Sequence, residues 1–434
     1  MALGGVVQHH QRHAWVRLTH LKRHALAPCD RDRWTRPQRR CYSRLAFKQT
    51  RQATLVKPRE FRISLQASRQ LSQGFHQWLA GIRVLDLSQY IPGPLASLLL
   101  ADMGAEVIKI EPPAGDPMIT LGPRSRSGEG LFHQTLNAGK RIVRIDLKRA
   151  DGQARLLEMA READVLIEGF RPGVMDRLGL ATSRLRAEAP RLIICSISGY
   201  GASGESLQKA GHDANYLAEA GVLHRNGSTD PQYFDPPIAD VSGSLFAAMA
   251  ILGALQGRAR SGQGCIIDLG LADVIMPLQL LQVADYGENG TDPERRSTYL
   301  NGGAAYYQIY RTRDHGHLTV GAVEPKFWRR FSDAAGHPEW IDRQSEPLPQ
   351  HQLTADVAAV IGSWSLDECL ARFADDECCV SPVLNLGDAL QTSRLRSRKL
   401  VVKGADGRLQ ALFPAWIDGG PPVPRAAASA SESR

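Results

Sequence analysis

The stretch from Gly81 to Glu111 reads GIRVLDLSQYIPGPLASLLLADMGAEVIKIE, and it decides the fold. Two short runs rich in Ile, Val and Leu, 82–88 and 106–111, have the length and composition of buried strands. Between them, 94–105 reads as a helix. The alternation continues downstream, with strands predicted over 141–148, 164–170 and 191–198. Helices are predicted over 151–163, with Asp151 placed to cap, and in a short stretch after Thr182. Strand and helix in alternation predict a parallel sheet covered on both faces. Ligands of such sheets sit beyond the carboxyl ends of the strands.

Further along, 244–255 reads as a small-residue helix, 265–269 as a strand and 271–286 as a second helix, followed by a polar linker over 287–298. The pattern then turns antiparallel. Strands over 306–312 and 317–323 flank the turn Arg313-Asp314-His315-Gly316, a hairpin. Helices over 325–335, 354–364 and 366–374 follow, and 380–384, 400–403 and 409–413 suggest a return to sheet. The expected organisation is a large α/β domain with a Rossmann-like parallel sheet over 79–286 and a linker with a smaller α+β domain over 287–390. A return to the large domain over 391–418 and a Pro-, Ala- and Ser-rich disordered tail over 419–434 complete it.

Composition narrows the function. Of 434 residues, the first 78 hold 16 Lys and Arg against 3 Asp and Glu, whereas the remainder holds 37 against 42. The net charge of +8 therefore belongs to the extension, and no nucleic-acid surface is expected on the globular body. Residues 1–78 show no apolar period and are expected to be disordered or absent from the mature fold. Their Arg-rich, acid-poor character also resembles an organelle transit peptide, and upstream sequence read through a misplaced start is a third alternative. The cluster His9-His10-Gln11-Arg12-His13 lacks the apolar shell and carboxylates of a metal site. Cysteines at 29, 41, 195, 265, 369, 378 and 379 follow neither zinc nor disulfide spacing, which points to a reducing, cytoplasmic compartment. The longest nearly apolar runs, 91–101 and 244–255, fall short of the ~18 residues of a membrane span, so none is expected.

Chemistry concentrates in Gly211-His212-Asp213-Ala214-Asn215-Tyr216, which sets an imidazole beside a carboxylate after a glycine-rich turn. Asp240, in Pro236-Pro237-Ile238-Ala239-Asp240, is a second carboxylate that a compact fold could bring to face the histidine as an acid/base pair. The alternative is a His-Asp dipeptide that only caps a helix. Upstream, Gly199-Tyr200-Gly201-Ala202-Ser203-Gly204 matches the dinucleotide fingerprint in letters, but no apolar-periodic helix begins there. Nicotinamide or flavin binding is therefore rejected, and a loop that lets backbone approach a ligand is kept.

Over about residues 79–415 the chain resembles the family III CoA-transferase superfamily (CaiB/BaiF type). The stretches that carry this are Leu79-Ala80-Gly81-Ile82-Arg83-Val84-Leu85-Asp86-Leu87, Gly104-Ala105-Glu106-Val107-Ile108-Lys109-Ile110-Glu111, Asp146-Leu147-Lys148, Gly169-Phe170-Arg171-Pro172-Gly173-Val174-Met175-Asp176-Arg177-Leu178-Gly179-Leu180 and Ser198-Gly199-Tyr200-Gly201. The resemblance implies a homodimer of interlocked subunits, an acyl-CoA substrate, and no permanently bound cofactor beyond the CoA of that substrate.

Two chemistries follow from it. The transferases use an aspartate at the position of Asp213 as a nucleophile that becomes an aspartyl-CoA thioester. The alpha-methylacyl-CoA racemases instead carry histidine at the position of His212 and a second acid/base at that of Asp240. A glutamate at the position of Glu324 orients their histidine. They also resemble this chain at Asn215-Tyr216, at Asn301-Gly302-Gly303-Ala304 and at Val320-Gly321-Ala322-Val323-Glu324-Pro325. Racemisation of a 2-methylacyl-CoA is accordingly expected, with CoA transfer through Asp213 as the alternative and CoA-thioester binding without turnover as a third. CoA contacts are implied at Asp146, Leu147, Lys148, Gly169, Phe170, Arg171, Arg177 and Gly211, together with Asn215 and Tyr216. The chain departs from the racemases at Pro112, where they carry arginine, and over 121–140, which is similar to the transferases.

Overall fold

The computed structural model describes residues 77–430 apart from Ser127; residues 1–76 of the basic extension, with its His cluster, Cys29 and Cys41, lie outside the described residues. β1 (Arg83–Asp86) and β2 (Glu106–Glu111) form where the Ile- and Val-rich runs place them. They pair parallel, with Arg83 opposite Glu106. β3 (Arg141–Arg144) extends the sheet beyond β2. β4 (Val165–Glu168), β5 (Ile193–Ser198) and β6 (Ile266–Gly270) add in turn on the other side of β1. The chain thus winds outward twice from the middle, and the reversal falls between β1 and β4. That is where a doubly wound sheet opens a crevice at its carboxyl edge.

Successive side chains of each strand point to opposite faces, so each face has its own core. Val84, Ile167, Ile193 and Ile197 pack with Leu100 and Ile251, from helices Pro92–Asp102 and Ile238–Ser261. Leu85, Ile108, Leu166 and Ile194 pack with Leu156 and Leu185, from helices Ala150–Arg161 and Thr182–Glu188. Each such aliphatic side chain taken from water contributes about 1.5–3 kcal/mol. Asp151 does not cap its helix. Arg149 stands at the cap, and the Asp151 carboxylate sits in the first turn, where it accepts the Arg149 guanidinium at 3.0 Å.

A third core lies under β7 (Tyr307–Arg311) and β8 (His317–Gly321), the hairpin predicted from sequence, and β9 (Val380–Pro382), which pairs antiparallel with β8. Its centre is the aromatic stack Trp328, Phe331 and Phe373, with the Trp328 indole donating to the Trp340 carbonyl at 2.8 Å. β10 (Val401–Lys403) and β11 (Leu409–Ala411) form a separate ribbon. None of these three late strands rejoins the large sheet. The strand that does is β12 (Ser429–Ala430), parallel beside β3 and within the stretch whose composition suggests disorder. Through Ala430 this stretch is held by side chains: Arg425 makes two 2.6 Å bonds to the Asp102 carboxylate, and Gln410 pairs with the Arg425 backbone.

Helix Ile238–Ser261 is twice as long as predicted and, by length and composition, long and apolar enough to cross a membrane. Counting apolar runs missed it because Asp240, Ser242 and Gly243 interrupt the run. In the fold it packs against helix Pro92–Asp102 and β5, and it ends at Gly262 in the left-handed conformation. The predicted helix over 271–286 is broken at Gln279 into Ile275–Leu278 and Leu280–Asn289, just after Pro277.

Candidate active site

A cleft of ≈ 530 Å³ opens beyond the carboxyl ends of β1, β4 and β5, at the reversal point of the sheet. One wall is the turn after β1 with the start of helix Pro92–Asp102, Ser88 to Gly93. The floor comes from Gly169, Phe170 and Arg171 after β4 and from Ser198, Gly199 and Tyr200 after β5. The other wall carries Gly211, His212, Asn215 and Tyr216, with Asp240 beside them. The cleft therefore gathers eight of the residues singled out in the sequence.

His212 caps the short helix Asp213–Glu219, and its own N–H is fixed by the Asn215 side chain at 3.0 Å. The capping alternative is thus met by the same residue that presents its exposed imidazole to the cleft. Tyr216 is buried, and its hydroxyl donates to the Gly211 carbonyl at 2.6 Å. Two glycines make room for its ring: a Cβ on Gly199 would stand 2.6 Å from the Tyr216 hydroxyl, and one on Gly211 2.8 Å from the ring. Burial, then the charge of Asp240, pushes the Tyr216 phenol up to about 12. It is a donor here rather than a base.

Asp213 turns away from the cleft. Its Oδ1 accepts the N–H of Ala239 at 2.6 Å and of Asp240 at 3.1 Å, so it caps helix Ile238–Ser261 across the fold. Burial, and second the nearby Asp213 charge, raise the Asp240 carboxyl from its ordinary value to about 7. A carboxylic acid that holds its proton near neutrality, in a cleft that an imidazole also lines, suits general acid/base chemistry.

The other sequence-predicted residues lie elsewhere. Asp146 lines a second cleft of ≈ 210 Å³ with Arg144, Arg149 and Arg155 at the carboxyl end of β3. Leu147 packs into the core and Lys148 is exposed beside them. Arg177 ends the four-residue helix Val174–Arg177 and is exposed. Glu324 is exposed at the start of helix Pro325–Ala335 and does not line the cleft of its own chain. The cleft also contains residues that sequence reading missed, Tyr90 with φ 64 and Lys209. Lys209 and Tyr200, the latter from the glycine-rich loop, both bond to Glu219 at 2.8 Å. The loop Gly199 to Gly204 turns at Gly201 and Gly204, with no helix starting there. Among the described residues no group of three or more His, Cys, Asp or Glu could hold a metal ion.

Fold and cleft together describe an α/β protein that sets an imidazole and a carboxyl of raised pKa in a switch-point cleft. The chain belongs to CoA-transferase family III, whose family model matches residues 79–428. It is 34% identical over 330 residues to the alpha-methylacyl-CoA racemase of Mus musculus, covering 74% of this chain and 81% of that one. It is likewise 34% identical over 296 residues to the succinyl-CoA–D-citramalate CoA-transferase of Chloroflexus aurantiacus, covering 67% and 73%. Among solved structures it is similar to a CaiB/BaiF family protein from Brucella suis, with TM-score 0.72 and 27% identity, over 81% of this chain and 95% of that one.

Proposed function

We propose that this enzyme racemises 2-methylacyl-CoA thioesters by moving the proton on carbon 2 between His212 and Asp240. The observation that carries the reading is the division of labour between two aspartates. Asp240 faces the cleft with its carboxyl raised to about 7, whereas Asp213 is turned to the N–H groups of helix Ile238–Ser261. His212 removes the proton from one face and Asp240 delivers one to the other; the reverse direction exchanges the roles. Positioned acid/base groups give about 10²–10⁴-fold. The enolate oxygen needs further donors, which contribute about 3–4 kcal/mol where they resemble an oxyanion hole. The N–H groups of Gly211 and Asp213 take no partner among the described residues and lie in the same turn as His212.

The CoA portion would lie along the carboxyl edge of the sheet. Arg171 faces the reacting end, and Arg144, Arg149 and Arg155 line the second cleft beyond it, where guanidinium groups suit phosphates. β2 and β3 pair with Glu111 opposite Arg144, so Arg144 stands next to Pro112, the position at which an arginine is missing. A homodimer accounts for two further features. Met276, Leu278, Leu280, Leu281, Val283 and Tyr286 leave an apolar surface exposed. Interlocked subunits would also let Glu324 of the partner subunit reach the His212 imidazole.

The second reading, CoA transfer through an aspartyl thioester at Asp213, is supported by the identity to the citramalate transferase, which equals that to the racemase. Incubation with a (2R)-2-methylacyl-CoA in deuterated water separates the two. Exchange at carbon 2 without added carboxylate supports proton abstraction, and CoA transfer to added succinate without exchange sinks it.

A further inference from the structure

Behind the cleft wall that faces His212 lies a cluster of four buried charges, Asp86, Lys109, Asp116 and Lys140, none of which touches the cleft. Asp86 ends β1 and Lys109 comes from β2. Lys140 precedes β3. Lys140 Nζ uses all three of its donors: on Asp86 Oδ2 at 3.1 Å, on the Pro94 carbonyl at 2.8 Å and on Asn137 Oδ1 at 3.1 Å. Lys109 Nζ donates to the Ser88 carbonyl and sits 3.3 Å from Asp116 Oδ2 and 3.8 Å from Asp86 Oδ1. Asp86 in turn accepts the Ser88 N–H at 3.0 Å and the Ser97 hydroxyl at 2.5 Å.

The two carbonyls held by ammonium groups, of Ser88 and Pro94, bracket the cleft-lining stretch Gln89 to Gly93. Within it, Tyr90 adopts φ 64, a left-handed conformation that an L side chain keeps only where its surroundings impose it. Its own side chain is 44% exposed, so the constraint comes from the flanking backbone. The turn is closed tightly as well, since a Cβ on Gly93 would fall 2.0 Å from Ser88 Oγ. Buried ion clusters stabilise little relative to well-packed apolar groups. What this one supplies is geometry.

We propose that Lys109 and Lys140, tied together through Asp86, are positioning residues that fix the Gln89–Gly93 wall in the shape that receives the acyl-CoA. The part about the ligand rests on the function proposed above; the part about the wall does not. Two charge-balanced double variants test it, each releasing one grip and leaving the other ion pair intact: Asp86→Asn with Lys140→Met, and Lys109→Met with Asp116→Asn. Amide hydrogen exchange at Gln89, Tyr90, Ile91 and Gly93, compared with β4 and β5, reads the wall. Calorimetry with a non-reactive acyl-CoA thioether, together with kcat and KM, reads its consequence. Expected are about tenfold faster exchange confined to the wall, about tenfold weaker thioether binding with a matching rise in KM, and a pH profile that does not move. Wild-type exchange in a folded variant overturns the inference. So does fast exchange with unchanged thioether affinity, because the cluster then only supports the fold. If the wild type itself fails to bind the thioether, the proposed function fails, and the exchange data alone decide the positioning role. Should one double variant not fold, the other decides between these outcomes.

Discussion

Asp240→Asn should make the protein more stable and nearly inactive, and the size of the first effect follows from the site. Asp240 titrates near 3.9 in an unfolded chain, whereas in the fold its carboxyl is raised to about 7 by burial and by the Asp213 charge. Below both values the proton is bound in both states and the residue costs nothing. As pH rises towards 7 the unfolded chain ionises and the folded one does not, so stability is lost progressively, and above 7 the loss is complete. A shift of about three units at 1.36 kcal/mol each sets a ceiling of about 4 kcal/mol. Solvent at the open side of the cleft lowers this to about 2–4 kcal/mol. Asparagine keeps the shape and removes the charge. Denaturant unfolding of wild type and variant at pH 4 and pH 8 should therefore show a gain of about 2–4 kcal/mol at pH 8 and almost none at pH 4, beside a loss of at least about 10²-fold in kcat. An equal difference at the two pH values, or a variant less stable at pH 8, refutes the reasoning.

His212→Gln should abolish exchange at carbon 2 by at least about 10²-fold while changing stability by less than about 0.5 kcal/mol, since the imidazole is exposed; unfolding curves and proton exchange check the two halves. For Asp213→Asn the account expects a loss of about 1 kcal/mol, because a carboxylate cap on two N–H groups becomes an amide, with exchange at carbon 2 retained. Activity should fall as pH rises above about 7, where Asp240 loses its proton. It should fall alike in both directions, because these use two tautomers of one protonation state; initial rates from each epimer test this. Arg425→Ala leaves Asp102 buried and unpaired, which should cost about 3–5 kcal/mol. Thermal unfolding measures the loss, and faster exchange at the paired edge of β3 would trace it to release of β12.

The parallel sheet was legible because buried strands write themselves as short Ile- and Val-rich runs, and β2 came out with the predicted bounds. Helix Ile238–Ser261 was half visible. Its first turn is stabilised by Asp213, 26 positions earlier in the chain, and no local signal announces such a cap. His212 and Asp240 were readable as two chemistry-bearing residues in glycine- and proline-rich turns, and both line the cleft, although the raised Asp240 carboxyl depends on burial that only the fold creates. Ser88 to Gly93 escaped notice because Ser88 to Ile91 is a loop without period and Pro92 and Gly93 only open the helix that follows. Lys109 and Lys140 look in sequence like ordinary surface charges, and they are fully buried. β12 was hidden for the opposite reason: its composition resembles a disordered tail, and Arg425 on Asp102 with Gln410 on the Arg425 backbone anchors the stretch that carries it.

The most direct test of the central claim is deuterium incorporation at carbon 2 of a (2R)-2-methylacyl-CoA in deuterated water, with and without succinate, for wild type, His212→Ala and Asp213→Asn. The account predicts incorporation with formation of the 2S epimer, independent of succinate, lost in His212→Ala and kept in Asp213→Asn. Succinyl-CoA formed only when succinate is added, with no incorporation and with all activity lost in Asp213→Asn, would contradict it and move the chemistry to Asp213.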